Sequence, residues 1–115
     1  MSDCIFCKIV EGSIPSTKVY ENDHVFAFRD IVPAAPVHIL IIPKKHFASL
    51  NDATEEDWSL IGHIHQAAQL IAKEQGVAES GYRLVNNCGP DSGQIVFHLH
   101  YHLLAGEKLG PLGKA

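Results

Sequence analysis

The sequence predicts an α+β fold: a five-stranded antiparallel sheet with one long helix and a short N-terminal helix. Three observations predict it. Short apolar segments rich in β-branched residues recur between turn-forming residues. One stretch, Glu55 to Gln75, carries apolar residues at helical spacing between clear start and stop signals. The connections are mostly short turns, which suit antiparallel neighbours better than parallel crossovers.

Each element follows from its own residues. Asp3 to Val10 reads as a short helix with Asp3 as N-cap and Gly12 near its end, and Pro15 blocks continuation. Lys18–Glu21 and Val25–Arg29 read as strands joined by a turn at Asn22-Asp23. Asp30 to Pro36 is a proline-bearing loop. Val37–Ile42 is a β-branched run stopped by Pro43, so it is predicted as a strand. In the long helix, Thr54 and Asp57 resemble a capping box, Gly76 sits at C′, and Ile61, Ile64, Ala68 and Ile71 should face the core. Gly81–Asn87 is read as the fourth strand, Asn87–Gly93 as a turn-rich loop, and Gln94–Leu104 as the last strand. The tail Gly106–Ala115, with three glycines and a proline, is read as irregular.

A length of 115 residues suits a single domain spanning 1–115. Hydrophobic residues at 46% and charged residues at 19% indicate an ordered globular chain. A net charge of −4 argues against a nucleic-acid partner, although a local patch can still hold one small anion. Nothing approaches the ~20 apolar residues of a membrane helix, so no membrane partner and a cytoplasmic location are expected. Three cysteines, Cys4, Cys7 and Cys88, make a poor disulfide framework. The eight histidines are the compositional anomaly.

The most informative stretch runs from Gln94 to Leu104. If it is a strand, His98, His100 and His102 share one face, and Phe97, Leu99, Tyr101 and Leu103 share the other, against the long helix. Alternating polar residues ordinarily mean only a wet face, but such faces draw on Thr, Lys, Glu and Ser. Three imidazoles in strict alternation point to chemistry. One metal for all three does not fit: the outer pair would lie about 13 Å apart along a strand, against a Zn–N bond of ~2.1 Å.

The segment His98-Leu99-His100-Tyr101-His102-Leu103-Leu104 closely resembles the signature of the histidine-triad family. The resemblance covers nearly the whole chain. Ile5-Phe6 with Ile9, Phe28-Arg29-Asp30-Ile31, Pro36 to His46, and Asn87 ahead of Gln94 all fall in family order. It implies nucleotide hydrolysis with His100 as nucleophile, flanked by His102 and His38, with Asn87 orienting the network. Gln94 and nearby backbone N–H groups would contact phosphate, Asp30 the ribose hydroxyls, and Ile5, Phe6, Ile9, Phe28 and Ile31 the base. Leu104-Ala105-Gly106 resembles the branch acting on nucleoside phosphoramidates, which implies AMP or another purine nucleotide as ligand and a homodimer. Taken without the resemblance, Asp30 is an ordinary turn aspartate and the apolar five are plain core. Ile95 departs from the family, many of whose members have serine there; leaving-group chemistry is then expected to differ.

Cys4-Ile5-Phe6-Cys7 has the C-x₂-C spacing of half a tetrahedral zinc site. With no second such pair, the remaining ligands must be histidines. The resemblance to zinc-bearing bacterial members names them as His46 and His98, giving a structural zinc. No catalytic metal is expected, since no Asp/Glu cluster suits magnesium. Two rivals stand beside this reading: a dinucleoside-polyphosphate hydrolase or nucleotidyltransferase on the same fold, and a nucleotide-sensing or interaction module with vestigial activity.

Overall fold

The structure, a computed structural model, describes residues 3–112; the tail reading for 113–115 lies outside the described residues. The elements run α1 (Ile5–Glu11), β1 (Lys18–Glu21), β2 (Val25–Arg29), β3 (Val37–Pro43), α2 (Trp58–Glu74), β4 (Tyr82–Asn86) and β5 (Tyr101–Ala105). The strands form one antiparallel sheet in the order β1-β2-β3-β5-β4. The predicted α+β class and strand count hold.

Several boundaries move for local physical reasons. The cap of α1 is Cys4, not Asp3: the Cys4 sulfur accepts the Cys7 N–H at 3.3 Å. The long helix opens with a 3₁₀ turn, Glu55–Asp57, before α2 proper. There the predicted capping box forms, and Lys45 adds a 2.6 Å contact to buried Asp57. The helix stops where Gly76 takes φ +74°, a conformation that strains side-chain-bearing residues. Pro43 is the last residue of β3 and pairs with Val25. The largest correction concerns the last strand, which begins at Tyr101 and not at Gln94.

Both faces of the sheet are covered, which explains the unbroken apolar runs in β2 and β3. Val25, Ala27, Ile39, Ile41, Leu99, Tyr101 and Leu103 pack with Ile64, Ala68 and Ile71 of α2. Their alternates Phe26, Phe28, Leu40 and Ile42 pack with Phe6 and Ile9 of α1. Strand periodicity therefore puts His38 and His102 on the α1 side, where Leu40 stands opposite His102 and Leu104 opposite His38.

Candidate active site and metal centre

His38 and His102 owe their position to the sheet; His98 and His100 do not. The latter two lie in an irregular segment ahead of β5, where polar atoms are satisfied off the strand ladder. Leu99 N–H donates to the Phe47 carbonyl at 2.9 Å, and His98 Nε2 donates to the Pro43 carbonyl at 2.8 Å. His98 is fully buried and His100 nearly so, hence the row is not an open histidine face. Phe97, expected against the helix, is 57% exposed. Alternation in the sequence could not reveal bonds to residues some fifty positions away.

The hydrogen bonds fix which nitrogen of each imidazole carries its proton. The His98 carbonyl can only accept, so His100 Nδ1, 2.8 Å away, is the donor and His100 Nε2 keeps its lone pair. The Ala34 N–H can only donate, so His38 Nδ1 accepts it at 2.9 Å and His38 Nε2 bears the hydrogen. That nitrogen lies 2.8 Å from His102 Nδ1 and 3.5 Å from Asp30 Oδ2. His102 Nδ1 is then the acceptor, leaving Nε2–H as a donor. Burial lowers the pKa of His38 and His100, and takes His102 to about 4 with help from the neighbouring histidines. All three are neutral near pH 7 in the free protein.

Beside these imidazoles lies a mostly apolar cleft of about 230 Å³ lined by Ile5, Phe6, Ile9, Phe28, Asp30 and Ile31, among others. Phe6, Ile9 and Phe28 are core residues whose edges form its floor. Ile5 at 46% and Ile31 at 94% exposure gain little from the fold and stand open to a ligand. Phe6 also meets His100 edge-on at 5.1 Å between ring centres, so cleft and histidines are one surface.

A second centre lies at the other end of the row. Cys4, Cys7, His46 and His98 bring their ligand atoms within 4.8 Å of one another. His98 Nδ1 is 3.4 Å from Cys4 Sγ, 3.6 Å from Cys7 Sγ and 3.1 Å from His46 Nδ1, and Cys7 Sγ is 3.4 Å from His46 Nδ1. A tetrahedral zinc with ordinary Zn–S and Zn–N bonds places its ligand atoms about 3.3–3.8 Å apart, so these four fit one ion. The bond from His98 Nε2 to Pro43 orients the ring and leaves Nδ1 free to ligate. Burial, which holds His98 near 4, favours the same neutral form.

Asp30, His38 and His102 also gather three ligand atoms within that distance. Their hydrogen bonds argue for another use. The Ala34 N–H keeps a hydrogen on His38 Nε2, and 2.8 Å between two imidazole nitrogens is one hydrogen bond, shorter than the roughly 3.3 Å edge of a shared tetrahedral ion. The first cluster suits a metal; the second suits a proton.

The remaining candidates sort less evenly. Gln94 is buried with its amide engaged by the Gly89 N–H and by the Ala48 and Val96 carbonyls, so it ties the loop before it to the segment after β3. Asn87 lines a neighbouring groove with Ala34, Val85, Ser92 and Leu104. Asn86, which sequence reasoning missed, donates to the His100 carbonyl at 3.0 Å. Ala34 was missed too, since only its backbone acts. His63 is half-buried and stacks on His24 at 3.9 Å between ring centres.

Comparison with known proteins agrees with this geometry. The family described as "Scavenger mRNA decapping enzyme C-term binding" matches residues 3–114. The purine nucleoside phosphoramidase of Escherichia coli K12 is 47% identical over 110 residues, covering 96% of this chain and 92% of that protein. A HIT-like protein of Synechococcus elongatus is 51% identical over 93% of each chain. Among solved structures, a histidine triad protein from Clostridium difficile superposes with TM-score 0.94 at 56% identity, covering 96% of both chains. A HIT family hydrolase from Clostridium thermocellum gives TM-score 0.93 at 51% identity with the same coverage. On fold, residues and relatives together, the chain belongs to the histidine-triad (HIT) family of hydrolases.

Proposed function

We propose that the protein hydrolyses nucleoside 5′-phosphoramidates or closely related AMP derivatives through a nucleotidyl intermediate on His100. The observation that carries this reading is the bond from His100 Nδ1 to the His98 carbonyl, which leaves a neutral Nε2 lone pair beside the apolar cleft. Neutral imidazole is a competent nucleophile at neutral pH. The phosphoramidase relative at 47% identity supports the substrate class.

Two half-reactions follow. His100 Nε2 attacks the α-phosphorus; its bond to phosphorus forms as the bond to the amine nitrogen breaks. The departing nitrogen needs a proton. The His38–His102 pair takes one up at His102 Nδ1 as the anionic phosphoryl group enters, His38 Nε2–H turning from that nitrogen to Asp30 Oδ2, and delivers one from His102 Nε2. Water then attacks phosphorus, the pair recovers the proton, and AMP leaves with His100 restored. Asn86, and Asn87 beside it, steady the segment carrying His100, while Asp30 accepts the ribose hydroxyls and Ile5, Phe6, Ile9, Phe28 and Ile31 hold a purine base. Gln94 acts on phosphate through the loop it holds.

Cys4, Cys7, His46 and His98 would hold a structural zinc, which when bound ties α1 to the segment ahead of β5 and takes no part in bond breaking. We read the chain as a homodimer, as its resemblance to the phosphoramidase branch implies. No helix among the described residues is long and apolar enough to cross a membrane.

The test is AMP release from adenosine 5′-phosphoramidate by the wild type and His100→Ala. Wild-type turnover that falls about 10⁴-fold or more in the variant is expected, as for loss of a nucleophile. Equal activity in the variant would end the mechanism. Tight AMP binding with no turnover in the wild type would favour a nucleotide-sensing module, and turnover of dinucleoside polyphosphates alone would favour the other hydrolase class.

A further inference from the structure

We infer that Asp30 is a positioning residue for the catalytic histidines: it closes an Asp30–His38–His102 chain and supplies the counter-charge that lets the pair carry a proton. The inference rests on the proposed function for its chemistry, but on the fold for its geometry.

Asp30 is held at its backbone and at one carboxylate oxygen. Asp30 N–H donates to the His38 carbonyl at 3.0 Å, and Asp30 Oδ1 accepts the Val32 N–H at 2.8 Å. Rotation is thereby blocked, and Oδ2 is left facing His38 Nε2 at 3.5 Å. His38 Nε2–H is committed to His102 Nδ1 at 2.8 Å. Asp30 Oδ2 and His102 Nδ1 thus face the same His38 Nε2–H, so the carboxylate can take that hydrogen when His102 Nδ1 holds the extra proton.

The need for a counter-charge follows from the proton balance. Expulsion of an amine by neutral His100 requires one proton beyond those on neutral imidazoles. The pair must hold it as an imidazolium, in a buried site where charge is costly. The titratable groups acting on His102 are His38 from β3, His100 from the segment before β5, and Asp30 after β2. Asp30 alone is anionic, and it acts in the same direction on His38, His100 and His102, opposing the effect of burial. Because Asp30 also lines the cleft, recognition of the sugar and charging of the pair share one carboxylate. A substrate that satisfies Asp30 sits where the proton is available.

The experiment compares wild type with Asp30→Asn, which keeps a hydrogen-bond acceptor and removes the charge, on adenosine 5′-phosphoramidate and its 2′,3′-dideoxy analogue. A kcat loss on the order of 10–100-fold on both substrates is expected, with Asp30→Glu recovering part of it. If Asp30 serves only the ribose, Asp30→Asn raises KM for the ribose substrate and leaves the dideoxy substrate untouched, which overturns the inference. A substrate-free ¹⁵N NMR titration of the imidazoles separates this outcome from failure of the proposed activity. The His102 midpoint should move to lower pH in Asp30→Asn, and identical midpoints would refute the inference whether or not the protein turns over any nucleotide.

Discussion

Two clusters share one short stretch of chain, which gives His98 to one and His102 to the other, and they are built for opposite ends. Around His98, soft sulfur and imidazole atoms point inward at one another at 3.1–3.6 Å, with the outer nitrogen of the ring tied to a carbonyl. Around His102, imidazoles are linked nitrogen to nitrogen at 2.8 Å, and a carboxylate stands 3.5 Å from the donor nitrogen. The first arrangement converges on a point that suits a tetrahedral cation. The second holds one imidazole–imidazole hydrogen bond with a carboxylate beside its donor nitrogen. His100 sits between them, tautomer set by the backbone of the one and electrostatics by the other. What separates the clusters is less their residue types than which backbone groups each ring meets.

That comparison can be broken most forcefully at the metal end. Cys4→Ala or Cys7→Ala should abolish metal binding and lower the melting temperature by roughly 10 °C, since a cross-link worth about 2–3 kcal/mol is lost from a domain of this size. Metal content and calorimetry check this; an unchanged melting temperature would mean that the cluster bears no ion in the folded protein. The same variants should weaken AMP binding about 10-fold, because α1 carries both cysteines and the cleft residues Ile5, Phe6 and Ile9. Isothermal titration of wild type with and without chelator reads that coupling.

The proton end makes a prediction in pH. His38 and His102 have pKa values lowered by burial, His102 to about 4, whereas both lie near 6.5 in the unfolded chain. The unfolded state therefore binds more protons below pH 6.5. Their contribution to stability is complete above that pH and is lost progressively as pH falls toward 4. Chemical denaturation at pH 7, 5.5 and 4.5 should show the decline, and His102→Gln should flatten it.

The smallest effect is expected at Ile95. At 85% exposure it contributes little to packing, so Ile95→Ser should change stability by no more than about 0.5 kcal/mol. The consequence should appear instead as a change in kcat/KM across phosphoramidates that differ in amine. Equal ratios for both proteins across such a panel would show that this position does not sense the leaving group.

Much of this was legible in the sequence, and the parts that were not share one physical cause. Helix α2 follows from Ile64, Ala68 and Ile71 at helical spacing, and β2 and β3 from runs apolar enough to be buried on both faces. Cys4 and Cys7 announce half a metal site, and resemblance to the family supplied His46 and His98, which the fold brings to them. The pattern failed at Gln94–His100, where alternation mimics a strand but contacts to Phe47 and Pro43 hold an irregular segment. It was silent about Ala34, whose backbone N–H decides the tautomer of His38, and it favoured Asn87 over its neighbour Asn86, which bonds to the His100 carbonyl. Side-chain periodicity reports which face a residue takes; it carries no record of which carbonyl or N–H that residue will meet.

The division of labour along the row is tested most directly by zinc stoichiometry in three single variants, His98→Ala, His100→Ala and His102→Ala, each loaded with zinc and dialysed. The account predicts that His98→Ala loses its zinc while the other two retain as much as the wild type. Retention by His98→Ala, or loss by His102→Ala, would contradict it.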